Sequence, residues 1–213
     1  MIYYFSEKDS FDIFKKRKEQ IGVLSRKSPD ESGSFFKKLQ KNPFSLSGIV
    51  SLKKTRKDID EILKDFVHDN IKYDPFYEFW LNDMSNVCKI FCLFQKQKRV
   101  SYWLGSDRGC KRYHLDMVPF RLLVTYSGQG TEVLPNDAAD REAFMNGKSN
   151  EEIVKDRSAV MHLNRWDISV FRGGNLGILH RTPKVALKGN TSVLMRLDHQ
   201  SYFSDIQKIN GFS

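Results

Sequence analysis

Cysteine is scarce in this chain: there are three in 213 residues, Cys88, Cys92 and Cys110. An odd, sparse set builds no disulfide framework, which suits a reducing compartment, so the cytoplasm is the expected location. No stretch approaches the ~18 consecutive apolar residues of a membrane-spanning helix, so no membrane partner is expected. The opening Met1-Ile2-Tyr3-Tyr4-Phe5-Ser6-Glu7-Lys8-Asp9 lacks the basic stretch and apolar run of a secretory leader. Internal repeats, low-complexity tracts and long Gly/Ser/Pro linkers are missing too, which argues against a two-domain split. The expectation is one domain over residues 1–213. Residues 1–98 are expected to be mainly helical and to pack on a sheet, and residues 99–200 to form a β-rich core. A chain of this size buries roughly 70% of its unfolded surface, and 40% apolar content with 16 phenylalanines can fill such a core. A nucleotide-binding P-loop is excluded as well. Ser127-Gly128-Gln129-Gly130-Thr131 lacks the closing Lys-Ser/Thr and lies between strand-like runs, where a hairpin calls for glycine.

Positive charge is plentiful. The formal net charge is +9 and the pI about 9.4. Much of the excess precedes residue 60, in Lys15-Lys16-Arg17-Lys18, Lys37-Lys38 and Lys53-Lys54-Thr55-Arg56-Lys57. These clusters are interspersed with acids and read first as solvated helix faces. The other reading is a basic nucleic-acid-associated module, whose affinity would be weak and steeply salt-dependent.

Periodicity divides the chain in two. Ile59, Ile62, Leu63, Phe66 and Val67 recur at helical spacing and predict an amphipathic helix over 57–70. After Asp74-Pro75 a second stripe, Phe76, Trp80, Met84, Val87, Cys88 and Phe91, predicts a further helix of some four turns. Before them, Ile21 to Leu24 and Leu46 to Val50 are short apolar pieces around a polar loop at Ser28 to Ser34. From Arg99 to about Leu197 strand-like runs dominate, interrupted by a helical or loop excursion from Asn136 to Asp156. Helices followed by strands predict an α+β domain with a sheet or barrel buttressed from one side.

The chemistry concentrates in two short segments, Tyr113-His114-Leu115-Asp116 and Leu179-His180-Arg181-Thr182-Pro183. A strand sends residues i and i+2 to one face, so His114 and Asp116 would project together. His180, brought in by a neighbouring strand, would complete a two-histidine, one-carboxylate metal set that leaves coordination positions open. A zinc site that only binds, with an open fourth position, uses the same residues. So does the bland reading, in which they are ordinary structural side chains. Cys110, in a basic stretch with Arg108, Lys111 and Arg112, is a candidate nucleophile with His114 or His162 as its base. Cys88 and Cys92 are expected to be buried small hydrophobes. His162 is expected at the surface or behind the site, and His68 and His199 facing solvent.

The stretch from Cys110 through His114, Asp116, Arg121 and Tyr126 to Glu132 resembles an uncharacterised bacterial family, domain of unknown function 1826. Trp166 to Gly174 and His180-Arg181-Thr182-Pro183 resemble it too, and the resemblance spans roughly residues 70–198. More distantly, the layout is similar to prolyl-hydroxylase-like Fe(II)/2-oxoglutarate dioxygenases. These place a His-x-Asp motif before a hairpin, and then an apolar strand, here Trp166 to Phe171, before the distal histidine. That likeness implies a double-stranded β-helix (jelly-roll) core. It also implies Fe(II) held by His114, Asp116 and His180, 2-oxoglutarate as cosubstrate, and oxidation of a small-molecule or macromolecular substrate that it does not identify. For the distal carboxylate of 2-oxoglutarate it points to Arg196 first and Lys188 second, because Asn190, Thr191 and Ser192 stand where that superfamily often has a basic residue. Arg196 lies in an apolar strand and needs an anionic partner. A cosubstrate carboxylate, Asp198 or Glu132 would each serve. Tyr126 would hydrogen-bond the cosubstrate or be a core aromatic with a tethered hydroxyl.

Overall fold

The computed structural model describes residues 1–6, 11–189, 191–202 and 205. Its centre is a seven-stranded sheet. The strand order is β1 (Ile2–Tyr4), β2 (Ile21–Leu24), β8 (Ile168–Arg172), β5 (Phe120–Ser127), β10 (Val193–His199), β4 (Arg99–Gly105) and β3 (Ser45–Ser51). Only β1 and β2 run parallel among these neighbours. A three-stranded antiparallel sheet, β7 (Met161–His162), β6 (Glu132–Leu134) and β9 (Leu179–Arg181), completes the β structure. The protein is therefore α+β.

Period-two alternation decides which side chains meet what. On β5, Phe120, Leu122, Val124 and Tyr126 join the large helix-side core, as do Val193, Met195 and Leu197 of β10. Between them, Leu123 and Leu194 point to the other face, where they pack with Val133 and Ile178. Polar residues intercalated on that second face, among them Arg121, Arg196 and Asp198, therefore face away from the helices.

The helix layer comprises α1 (Ser32–Leu39), α2 (Thr55–Leu63), α3 (Asp69–Lys72) and α4 (Pro75–Gln95). α4 is the buttress. Asp74 caps it by accepting from Phe76 N at 3.0 Å, Pro75 occupies its first turn, and Lys96 ends it in left-handed conformation. All six residues of the second stripe are buried. Short helices α5 (Arg141–Met145) and α6 (Asn150–Ile153) occupy the excursion between β6 and β7.

Two differences from the sequence reading have physical causes. The expected helix over 57–70 stops at Leu63, and His68 is extended before α3. Ile59, Leu63 and Val67 are nevertheless all buried, because a turn carries the stripe onto the same core. The amino-terminal part is also less helical than expected: Ile21–Leu24 and Ser45–Ser51 are strands of the main sheet, while α1 begins inside the polar Ser28 to Ser34 stretch. Apolar pieces this short, Ile21 to Leu24 and Leu46 to Val50, have no readable period; their pairing with β8 and β4 decides the matter. Among the described residues, no helix is long and apolar enough to cross a membrane.

Candidate metal centre

His114 and His180 face each other across an antiparallel rung. His114 N donates to His180 O at 3.0 Å and His180 N donates to His114 O at 3.1 Å. Directly opposed residues on such a pair send their side chains to the same face, and the two imidazole centroids are 4.4 Å apart. His114 is an isolated bridge and Asp116 lies in irregular chain rather than a strand. Asp116 reaches the site because its segment packs on a glycine pair. Gly174 N donates to Asp116 O at 2.7 Å. A Cβ at Gly173 would lie 1.9 Å from Val118 O and 2.6 Å from Asp116 O, so no side chain fits there.

One donor atom from each of His114, Asp116 and His180 lies within 4.8 Å of the other two. Two observations bear on whether this set suits an ion. His114 Nδ1 faces Arg112 O at 3.1 Å and His180 Nδ1 faces Ile178 O at 3.0 Å, which favours the tautomer with the proton on Nδ1 and the lone pair on Nε2 in each ring. Asp116 Oδ2 is sealed from solvent with no hydrogen-bond partner among the described residues, and it lies 3.5 Å from His180 Nε2. A buried carboxylate oxygen left without a donor is costly; a cation between it and the two imidazoles would satisfy it. The residues fit a divalent metal.

The electrostatics agree with this at His180 and run the other way at His114. Burial pulls the pKa of His180 down to about 4, so it is a neutral ligand at pH 7. Burial also opposes charge on His114, but the Cys110 thiol beside it, the Arg112 carbonyl and Asp116 outweigh that and raise its pKa. The same contact with His114 lowers the pKa of Cys110, which is exposed, while Cys88 and Cys92 are buried.

Around the triad runs a charge network that the sequence did not announce. Arg121 donates through Nη1 to Asp116 Oδ1 and through Nε, at 2.8 Å, to Asp198 Oδ1. Arg196 Nε lies 3.0 Å from Asp198 Oδ2, near enough to pair electrostatically although its N–H is not aimed at the oxygen. Burial nonetheless pushes the Asp198 carboxyl above its ordinary pKa. Glu132 pairs instead with Arg181 at 2.7 Å and accepts from the Tyr113 hydroxyl. The partner of Arg196 is thus Asp198, not Glu132. The signal for Arg121 was its place as the one cation in an otherwise apolar run.

The histidines open on a cavity of about 260 Å³, whose lining includes Arg108, Cys110, Arg121, Arg181 and Arg196. Lys188 is exposed and does not line it. Asn190 lies outside the described residues. Tyr126 is on the opposite face of the sheet, packed against Phe36 and Trp166, and donates to Asp83 Oδ2 at 2.8 Å. As a contact for anything in this cavity it is corrected: strand alternation sends residue 126 toward the helices and residues 121 and 123 toward the site. His162, 3.5 Å from Glu132, stands outside the triad. The basic clusters before residue 60 do not line the cavity either.

A helix-backed sheet facing a smaller sheet, with two histidines and an aspartate converging at a cavity, defines an α+β protein with a potential metal site. The chain belongs to the family "Protein of unknown function (DUF1826)", whose model matches residues 8–198. No curated protein matches it. Among solved structures it is similar to a bsmA homolog from Methylobium petroleophilum PM1, with 9% identity, 88% of this chain and 90% of that one covered, and a TM-score of 0.43. It is also similar to a "Putative oxygenase" from Shewanella oneidensis, with 12% identity, both chains fully covered and a TM-score of 0.42.

Proposed function

We propose that this protein is a non-haem Fe(II)/2-oxoglutarate-dependent oxygenase, with His114, Asp116 and His180 as the metal ligands on a double-stranded β-helix core. One observation carries the reading. Asp116 Oδ2 is buried without a donor beside two imidazoles, and both histidines line a cavity with room for a small molecule. Three protein ligands leave open positions, as oxygen chemistry on iron requires. When bound, iron with 2-oxoglutarate as reductant would supply oxygen activation.

The chain's own part is positional. The cross-strand rung sets the spacing of the two imidazoles, and their backbone-bound Nδ1 atoms fix which nitrogen is offered. Arg121 occupies one oxygen of Asp116 and so turns the other toward the site. Leu123 and Leu194, packed with Val133, give the cavity an apolar wall. The cytoplasm is the compartment this reading assumes.

A specific observation favours a second reading. The Cys110 thiol against His114 offers a soft donor, as a site that holds zinc without catalysis would. The two readings separate by experiment. Protein purified without oxygen should take up one Fe(II) or Mn(II) per chain. Asp116→Ala and His180→Ala should each weaken uptake by more than about 100-fold, and the iron-loaded protein should form succinate from 2-oxoglutarate. Stoichiometric zinc with no succinate would select the second reading. Unchanged metal uptake in both variants would end both.

A further inference from the structure

Every arginine on the cavity wall has a carboxylate except one. Arg121 has Asp116 and Asp198, Arg196 has Asp198, and Arg181 has Glu132. Arg108 is 6% exposed and has no ion pair among the described residues. Its Nη1 donates to the Gln129 carbonyl at 3.1 Å and its Nη2 to the Thr131 hydroxyl at 3.1 Å, both neutral acceptors. Its Nε is sealed from solvent and bonded to nothing described. A guanidinium has five N–H donors in a planar fork, so this one is held by its outer nitrogens with bonding capacity left over.

A buried, unneutralised cation is among the costliest things a fold can carry. Burial alone draws the pKa of Arg108 down to about 10. Asp107, its neighbour in sequence, also lines the cavity but is exposed and forms no ion pair with it, and among the described residues it is Cys110 that pulls the other way. Arg108 and Thr131 line the same cavity as His114 and His180. That cavity, about 260 Å³, falls below the roughly 300–1,000 Å³ of sites for drug-sized ligands, so it suits a compound of few carbons.

We infer that Arg108 is the binding residue for a carboxylate of the small molecule that enters this cavity, the ion-pair partner that no described residue gives it. Planar, bidentate recognition is what a guanidinium gives a carboxylate. Arg196, the residue the sequence pointed to, is already paired with Asp198 and stacked over Trp103 and Tyr202 at 5.4 and 4.9 Å. The subsite itself stands on the geometry of Arg108. Assigning the carboxylate to 2-oxoglutarate rests additionally on the oxygenase reading.

The test uses the metal-free protein titrated with glutarate, which has two carboxylates and no keto group. Wild type should bind it saturably. Arg108→Met should weaken binding by about 30-fold or more, and Arg108→Lys, which keeps the charge but loses the fork, by about 10-fold. Without ligand, Arg108→Met should melt no lower than wild type, because an uncompensated charge has been replaced by an apolar side chain. A purely structural arginine would show the reverse: a lower melting temperature with glutarate binding intact. That result overturns the inference, as does failure of wild type to bind glutarate or 2-oxoglutarate at millimolar concentration. Two further arms identify the source of the carboxylate. In Mn(II)-loaded protein, 2-oxoglutarate tighter than glutarate by about tenfold or more assigns Arg108 to the cosubstrate, and equal affinity assigns it to the substrate. If His180→Ala loses Mn(II) but still binds glutarate through Arg108, the subsite is upheld whatever becomes of the oxygenase reading.

Discussion

Replacing Arg121 by methionine probes the site's electrostatics in one step. Its side chain is 11% exposed, and those of its partners Asp116 and Asp198 are each 1% exposed. Removing one member of a buried ion pair costs about 3–5 kcal/mol, because the stranded charge keeps its desolvation penalty. Asp198 retains Arg196 nearby, so the lower end, about 3 kcal/mol, applies to metal-free protein. For a chain of 213 residues each kcal/mol moves the melting temperature by about 2–4 °C, which makes the expected drop about 6–12 °C. Urea unfolding at pH 7 with a chelator present gives the free energy directly. The second arm is a double-variant cycle. Once Asp116→Asn has removed the charge that Arg121 neutralises, the arginine substitution should cost about 1–2 kcal/mol less. A single variant within about 1 kcal/mol of wild type, or a cycle additive to within about 0.5 kcal/mol, would refute the claim that Arg121 and Asp116 form one electrostatic unit.

Gly173→Ala should destabilise by about 1–3 kcal/mol and weaken Mn(II) uptake by at least about tenfold, since the new methyl must push against backbone oxygens of the segment that carries Asp116. Calorimetry with and without the ion checks both effects. Asp74→Ala removes the cap of α4 and should cost about 1 kcal/mol by urea unfolding. The Asp74 pKa is lowered chiefly by its bond from Lys38, so its contribution is present above the ordinary carboxylate pKa and lost as pH falls below it. The difference between wild type and Asp74→Ala should therefore shrink on acidification; a constant difference would contradict this. A thiol reagent should modify one cysteine quickly in the native protein and three after denaturation, because Cys110 is exposed whereas Cys88 and Cys92 are buried. Mass spectrometry counts the additions.

How much of this was legible beforehand depended on whether a signal was local. The stripe from Phe76 to Phe91 spans enough turns for its period to be unmistakable, and Asp74-Pro75 marks where it starts. The pairing of His114 with His180 was readable only as a spacing of motifs, yet the rung they share brings them together. Strands at Ile21–Leu24 and Ser45–Ser51 were not legible, because their partners lie far along the chain. Tyr126 was left between a cosubstrate contact and a core aromatic with a tethered hydroxyl although β5 alternates strictly; counting from Arg121 selects the core aromatic. Arg108 was visible only as one of several basic residues near Cys110. Its lack of an ion pair among the described residues is a fact of three dimensions and has no counterpart in composition or period.

The reciprocal rung between residues 114 and 180 has a consequence for motion. Each of those amides is sealed by the other residue's carbonyl, so neither can meet deuterium unless both let go. The two positions, 66 residues apart, should therefore show one common protection factor, a direct reading of how readily this corner of the molecule opens.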